Sequence, residues 1–138
     1  MQAPEIIFSH WVPWADRTSL KGINYPGVYL LAHFDATPTA RANPQAKEII
    51  YIGETCDNSL MGRWRQFHRS AFEGKYGHSG GATYRQVFGG QGDNLYVAAF
   101  PVEELDEEIR SFFIRYVERK LIWEFARKWG TAPKCNRK

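Results

Sequence analysis

The sequence predicts an α+β fold in which strands and helices follow one another in the order ββαβα. Three short runs of β-branched and aromatic residues, bounded by glycine, proline or polar residues, are typical of strands. Two longer stretches repeat their apolar residues every three or four positions, which is typical of helices. With 138 residues, 43% of them hydrophobic and 24% charged, the chain has the size and composition of one globular domain, assigned to residues 1–138.

The first part of the chain predicts an arm followed by a pair of strands. Residues 1–25 are rich in aromatic residues and contain Pro4 and Pro13, so we expect an irregular arm packed on the domain. The runs GVYLLAHF (27–34) and KEIIYIGE (47–54) predict two strands. Because a long, polar, proline-broken loop joins them, we expect an antiparallel pair.

A change of period after the second strand predicts the first helix. Leu60, Trp64, Phe67 and Ala71 recur at spacings of four, three and four. This spacing places them on one side of a helix, as a single apolar stripe. Ser59 directly precedes the stripe and is of a residue type that caps helices, so we expect the helix to begin there.

The region after this helix is rich in glycine and predicts a loop over residues 74–92. We expect a short helix within it, at 82–88, capped by Ser79. The run NLYVAAFPV, at 94–102, then predicts the third strand.

The last predicted element is a long helix from about Asp106 to Trp129 that contains one carboxylate in an unusual position. Glu118 has Ile114 four residues before it and Leu121 three residues after it, so it lies along an apolar stripe. A carboxylate there is costly unless it is paired, hydrogen-bonded or bound to a metal. The pattern therefore favours either a salt bridge to a nearby arginine or a metal site.

The charge is uneven although the net charge is only +3. Residues 59–85 contain four arginines and one lysine against Glu73 alone, and the tail from Arg127 to Lys138 is basic without any acid. Such segments are either ordinary solvated faces or the binding surface for a polyanion.

Two further features bear on the compartment. No apolar run is long enough to cross a bilayer, no secretory signal pattern begins the sequence, and no contact with a membrane is expected. Cys56 and Cys135 lack the spacing of a zinc site or a disulfide framework, so we expect free thiols. We expect a cytoplasmic protein, and the oligomeric state stays open.

Two tyrosines in the predicted strand pair introduce a known pattern. Tyr29 and Tyr51 are expected near each other on one face of the sheet, and Gly53 leaves space beside them. The motifs GVY (27–29) and YIG (51–53), followed by an arginine, a glutamate and an asparagine on later elements, resemble the GIY-YIG nuclease family. The resemblance runs from about residue 26 to 136, and the matching residues are Tyr29, Tyr51, Arg63, Glu118 and Asn136.

This resemblance implies a fold, an activity and a cofactor. The fold is a small central three-stranded antiparallel β-sheet flanked by helices, and the activity is hydrolysis of a DNA phosphodiester by an in-line water. One tyrosine would position or deprotonate that water, Arg63 would offset charge on the phosphate, and Glu118 would hold one divalent cation, Mg²⁺ or Mn²⁺. No small-molecule cofactor is expected. The second strand would end on Tyr51 and Gly53 so that a phosphate can approach the phenol.

Two alternatives remain open around the arginine. Many family members carry a histidine or tyrosine four residues after it, whereas Phe67 stands there in this chain and His68 comes next. Arg63 keeps the family's offset from Leu60, but Arg65 lies closer to His68 around the helix. We favour Arg63 as the catalytic arginine, and His68 is either an assistant or a packing residue.

The predicted contacts to DNA are mainly to phosphates, from the basic segments and the glycine loop. The sequence GHSGG (77–81) also matches the nucleophile elbow of serine hydrolases, but no buried strand precedes it, so a loop with phosphate contacts is preferred. The alternative function is a nucleic-acid-binding or accessory domain that keeps the fold without cutting. The predicted nucleic-acid-binding residues are Gly53, Arg65, His68, Arg69, Lys75, His78, Ser79, Arg85 and Lys134.

Overall fold

The computed structural model describes residues 2–137 and has an α+β architecture, as the sequence predicts. After the short strand β1 (Val12–Pro13) comes a 3-10 helix, Trp14–Ser19. The strands are β1 (Val12–Pro13), β2 (Gly27–His33), β3 (Ile49–Thr55) and β4 (Leu95–Pro101), and the α-helices are α1 (Leu60–Glu73), α2 (Ser79–Phe88) and α3 (Glu107–Trp129). No helix within residues 2–137 combines the length and the apolar character that a membrane span requires.

The sheet is antiparallel and has four strands in the order β1-β4-β2-β3, so the expectation of three strands was wrong. The additional strand comes from the N-terminal arm, where Val12 pairs with Val97 and Pro13 with Tyr96. Two residues are too few to show the alternation by which a strand is recognised, and the proline has no amide hydrogen to donate. A proline is compatible with β1 because this strand lies at the edge of the sheet.

The two faces of the sheet bury different elements. Alternate side chains of β2, such as Val28 and Leu30, point to a core shared with α3 and the arm. The other residues of the strand, Tyr29 and Leu31, point to a second core that contains the apolar stripe of α1 together with Tyr84 of α2. The helices thus form one layer on each side of the sheet.

The residues that cap the helices explain which predicted helix boundaries are correct and which are wrong. The side chain of Ser59 accepts a hydrogen bond from the amide of Gly62, so its predicted role as N-cap of α1 is confirmed. Helix α2 begins three residues earlier than expected, and its N-cap is His78 rather than Ser79. Helix α3 ends, as predicted, at Gly130, which has a φ of 84° that favours glycine.

The free edge of β3 is covered by the C-terminal tail. The amide of Cys135 donates to the carbonyl oxygen of Ile50 at 2.8 Å. One residue further on, the amide group of Asn136 bonds to both backbone groups of Ile52, accepting from its N–H at 2.9 Å and donating to its carbonyl at 2.8 Å. The tail thereby satisfies part of the hydrogen-bonding capacity that an edge strand leaves open.

Candidate active site

A cavity of about 270 Å³ lies at the edge of β3, where the two helical layers meet the C-terminal tail. Four of the five predicted catalytic residues line it, namely Tyr51, Arg63, Glu118 and Asn136. The other lining residues are Glu54, Ser79, Thr83, Arg119, Ile122, Cys135 and Arg137. A larger groove of about 890 Å³ runs along the N-terminal arm, but it includes none of the predicted site residues.

The fifth predicted catalytic residue, Tyr29, lies behind this cavity. Its ring centroid is 6.0 Å from that of Tyr51, and both rings belong to the same core, so the two phenols share one face as expected. Tyr29 is completely buried, however, and does not line the cavity. Tyr51 is therefore the phenol that lines the cavity, and Tyr29 packs against it from within the core.

Gly53 is required by the packing of these two phenols. It is the direct cross-strand partner of Tyr29. A methyl group added at Gly53 would approach a ring carbon of Tyr51 to 2.5 Å and the phenolic oxygen of Tyr29 to 2.7 Å. The space beside Gly53, which was expected to admit a phosphate, is occupied by the side chains of Tyr29 and Tyr51.

His78 connects α2 to the tyrosine cluster. Its ring is 3% exposed, and its Nδ1 accepts a hydrogen bond from the amide of Gly81 at 3.0 Å. Burial, with a smaller contribution from Arg63, lowers the pKa of His78 to about 3, so the ring is neutral. Since Nδ1 is an acceptor, the proton is on Nε2, which donates to the phenolic oxygen of Tyr29 at 2.7 Å.

These contacts change the predicted role of His78. Both ring nitrogens are engaged inside the protein, and the side chain offers no contact for a phosphate. Its position instead leaves the hydroxyl proton of Tyr29 available for another acceptor, because the lone pair that faces His78 is already in use.

Both phenols are protonated at neutral pH. Burial raises the pKa of Tyr51 to about 12, and the positive charge of Arg63 opposes this increase. Burial also raises the pKa of Tyr29 well above its ordinary value, with the nearby phenol of Tyr51 as the second cause. Without an added cation, neither group is a ready proton acceptor.

Glu118 extends from α3 into the cavity beside the core. Its neighbours along the helix, Ile114 and Leu121, are buried, as the stripe predicts, and its own side chain is 18% exposed. Burial, together with the negative charge of Glu54, raises the pKa of Glu118 to about 7, while Arg119 acts in the opposite direction. The contact with Arg119 is a long one, at 3.8 Å.

This carboxylate fits a hard divalent cation. Mg²⁺ is commonly held in proteins by one or two carboxylates, with water and substrate phosphate completing its shell. Glu118 and Glu54 both line the cavity, and the negative charge of Glu54 raises the cost of ionising Glu118. Within residues 2–137, no cluster of three or more histidine, cysteine, aspartate or glutamate side chains forms a complete metal site, so the substrate and water would supply the remaining ligands.

Arg63 lines this cavity, together with Arg119 and Arg137. From α1 its Nη1 donates to the side-chain oxygen of Gln66 at 2.6 Å and to the carbonyl oxygen of Gly77 at 3.1 Å. Arg65 is exposed and does not line the cavity, because two residues along a helix point to nearly opposite sides. The arrangement favours Arg63 over Arg65.

His68 lies in a different environment. Its Nδ1 accepts a hydrogen bond from the indole N–H of Trp14 at 3.0 Å, and the two rings are stacked. Phe72 also packs against the His68 ring, with the ring centroids 4.9 Å apart. The 3-10 helix therefore holds His68 as a packing residue, away from the cavity.

The remaining predicted DNA contacts fall into three groups. Ser79 lines the cavity and also a neighbouring cavity of about 480 Å³, which it shares with Lys75 and Arg85. Arg65 and Arg69 are exposed on the outer side of α1. Lys134 lies on the other side of the tail, where it lines a separate cavity with Trp129.

Three charged residues of the cavity were not predicted from the sequence. Glu54 follows the YIG motif, and the signal that could have identified it was a charged residue at the end of a buried strand. Arg119 and Arg137 each follow a predicted site residue directly. Because many other basic residues surround Arg119 and Arg137 in sequence, no local pattern distinguishes these two as cavity residues.

The serine-hydrolase interpretation of GHSGG is contradicted. Ser79 is the first residue of α2, and the preceding residues form a loop rather than a strand. The two glycines that follow serve close packing, because a methyl group at Gly80 would collide with the ring of Tyr51 and one at Gly81 with the backbone of α1.

Comparison with known proteins found no matching family model, no similar curated protein and no similar solved structure. The interpretation of the site therefore rests on its own geometry.

Proposed function

We propose that this protein is a metal-dependent DNA endonuclease of the GIY-YIG type. The observation that carries the proposal is that Tyr51, Arg63, Glu118 and Asn136 line one cavity although they belong to four separate elements of the chain. A phenol, a guanidinium and a carboxylate around one cavity are the groups that phosphodiester hydrolysis requires. The compartment we propose is the cytoplasm.

The phosphodiester is hydrolysed by direct attack of water. The oxygen of water bonds to phosphorus while the bond from phosphorus to the leaving sugar oxygen breaks. The water releases a proton to solvent, and the leaving oxygen takes one up from solvent. Tyr51 lines the cavity, and its protonated hydroxyl accepts a hydrogen bond from the attacking water and orients it without taking its proton. Arg63 neutralises the charge that develops on the non-bridging phosphate oxygens.

Tyr29 and His78 act as positioning residues. The Nε2–H of His78 holds the oxygen of Tyr29, and the Tyr29 ring packs against Tyr51. Because the whole cluster is buried and close-packed, it fixes the direction in which the Tyr51 hydroxyl points.

The divalent cation would be held by Glu118, with Glu54 close by in the same cavity. When bound, Mg²⁺ or Mn²⁺ stabilises the negative charge of the leaving oxygen and lowers the pKa of a bound water. Asn136 contributes by holding the strand that carries Tyr51, through its two hydrogen bonds to Ile52.

The charge of the cavity supports a polyanionic substrate. Three arginines and two glutamates line it, and one bound divalent cation would make the balance more positive. The adjoining cavity adds Lys75 and Arg85, so a phosphate backbone that enters at Ser79 meets positive charge along its path.

A second function is favoured by the electrostatics of the phenols. Tyr51, with a pKa of about 12, and Tyr29, which is fully buried, are both poor proton acceptors. This favours a domain that binds nucleic acid without cutting it. One assay distinguishes DNA cleavage from DNA binding without cleavage.

That assay is incubation of the purified protein with supercoiled plasmid, with Mg²⁺ or Mn²⁺ and with excess chelator. We expect nicked or linear DNA only when the metal is present, and none with Glu118→Gln. Binding of the plasmid without any cleavage in either metal would favour the second function. Cleavage that continues unchanged in the chelator would contradict the role of Glu118.

A further inference from the structure

Helix α3 presents a second row of large side chains on the side that faces solvent. Phe112, Tyr116 and Trp123 are 70%, 58% and 61% exposed. Their spacings of four and seven residues place them on one face of the helix, in a row about 16 Å long. The opposite face already packs on the sheet through Ile114 and Leu121, so the core does not account for the outer row.

The charges beside Tyr116 and Trp123 are basic, whereas the exposed Glu108 lies one turn before Phe112. Arg115 is exposed next to the row, and Arg119 lies between Tyr116 and Trp123 on the same face. The acidic residues of this part of the helix point elsewhere, because Glu118 lines the cavity and Glu124 is bound by Lys120 at 2.9 Å.

The row also adjoins the candidate active site. Arg119 follows Glu118 in sequence and lines the same cavity, so a chain that leaves the cavity past Arg119 reaches Tyr116 and Trp123 next. Aromatic rings with interleaved arginines are the combination that binds unpaired nucleobases, since the rings stack on bases and the guanidinium groups contact phosphates.

From this geometry we infer that Phe112, Tyr116 and Trp123 form a stacking platform for unpaired bases next to the scissile phosphate. The inference rests on the proposed endonuclease function. It assigns the substrate class as DNA with a single-stranded segment at the cleavage site, because the bases of an intact duplex are already stacked on one another and present no face to the rings. A second copy of this chain on the platform would bring the arginines of both copies together across the interface.

The test measures binding in the presence of chelator, so that no cleavage occurs. The probes are a fluorescein-labelled single-stranded oligonucleotide, a blunt duplex of the same sequence and a duplex with a single-stranded flap. The variants are Trp123→Ala, Trp123→Phe, which keeps an aromatic ring, and Val87→Ala, which removes an exposed apolar side chain from α2.

We expect Trp123→Ala to weaken binding of the single strand and of the flap at least about fivefold, with less than about a twofold change for the blunt duplex. Trp123→Phe should retain most of the affinity, and Val87→Ala should match the wild type. Equal affinity of wild type and Trp123→Ala for the single strand overturns the platform. So does a wild-type dimer that Trp123→Ala converts to a monomer without a change in affinity for DNA.

The two proposals fail in different ways. If the wild type cuts plasmid but Trp123→Ala binds every probe normally, the platform is wrong and the endonuclease stands. If Trp123→Ala loses the single-strand affinity while the wild type cuts nothing with either metal, the platform stands as a binding surface and the endonuclease is wrong.

Discussion

The Nε2 of His78 donates a hydrogen bond to the phenolic oxygen of Tyr29 at 2.7 Å, inside a core that solvent does not reach. The two residues are 49 positions apart, on the N-terminus of α2 and the middle of β2. This bond joins the helical layer to the sheet directly beneath Tyr51, so the conformation of the cavity-facing phenol depends on it.

The two tyrosines should respond differently to removal of the hydroxyl. We expect Tyr51→Phe to lower plasmid cleavage about a hundredfold or more, because it removes the group that orients the water, and to change the free energy of unfolding little. Tyr29→Phe leaves the Nε2–H of His78 buried without an acceptor. Unlike Tyr51→Phe, it should therefore lower the free energy of unfolding by about 1–3 kcal/mol. Cleavage rates and urea unfolding measure the two effects. Full activity of Tyr51→Phe would refute its assignment.

The arginine assignment is tested by a matched pair on α1. Arg63→Ala should reduce the cleavage rate about a hundredfold or more, since a positioned charge at the phosphate is lost. Arg65→Ala should keep most of the rate at saturating DNA, because this side chain is exposed outside the cavity. Single-turnover cleavage by both variants is the measurement. An inactive Arg65→Ala beside an active Arg63→Ala would reverse the assignment.

The raised pKa of Glu118 predicts a pH dependence of stability. A carboxyl group whose pKa is about 7 in the folded state and near 4.5 when unfolded stabilises the fold fully below pH 4.5, and this contribution is lost as the pH rises through 7. Without metal, Glu118→Gln should therefore be more stable than the wild type at pH 8, by at most about 3 kcal/mol.

Thermal unfolding of both proteins from pH 5 to pH 8, in chelator, measures this difference. The stability of the two proteins should converge toward the acidic end. Addition of Mg²⁺ or Mn²⁺ should stabilise only the wild type, more strongly at pH 8 than at pH 6, because the cation competes with the proton for the carboxylate. A stability difference between wild type and Glu118→Gln that stays the same at every pH would contradict the assigned pKa.

The glycines around the phenols predict a packing effect. Gly53→Ala and Gly80→Ala should each destabilise the fold by about 1–3 kcal/mol, since the new methyl group would overlap the rings of Tyr29 and Tyr51. Ser79→Ala, next to Gly80 and exposed, is the control for stability and should unfold like the wild type. Urea midpoints separate the three variants. A normal midpoint for Gly53→Ala would show that the rings move aside without cost.

Binding of DNA should be dominated by phosphates and therefore by salt. We expect the affinity of Glu118→Gln for DNA to fall steeply as the salt concentration rises, with little dependence on base sequence. Lys75→Ala and Arg85→Ala in this background should each reduce the slope of log K against log salt by about one. Titrations by anisotropy at several salt concentrations give the slope. A shallow slope, or no binding at low salt, would contradict a DNA partner.

Local patterns in the sequence determined most of the elements. The helical spacing from Leu60 to Ala71 and the strand runs around Tyr29 and Tyr51 depend on neighbouring residues alone, so each element could be predicted. The shared face of the two phenols follows from the alternation of side chains along paired strands. The position of Glu118 beside the buried stripe of α3 follows in the same way from the helical period.

Only the tertiary structure decided how these elements meet. The pairing of Val12 with Val97, the bond from His78 to Tyr29 and the pairing of Asn136 with Ile52 all join residues 49 to 85 positions apart. No local period reports such contacts, because their energy depends on packing that exists only once both layers have formed on the sheet. For the same reason the sequence could not distinguish the positions of the two phenols, whereas the fold buries Tyr29 completely and leaves Tyr51 at the cavity.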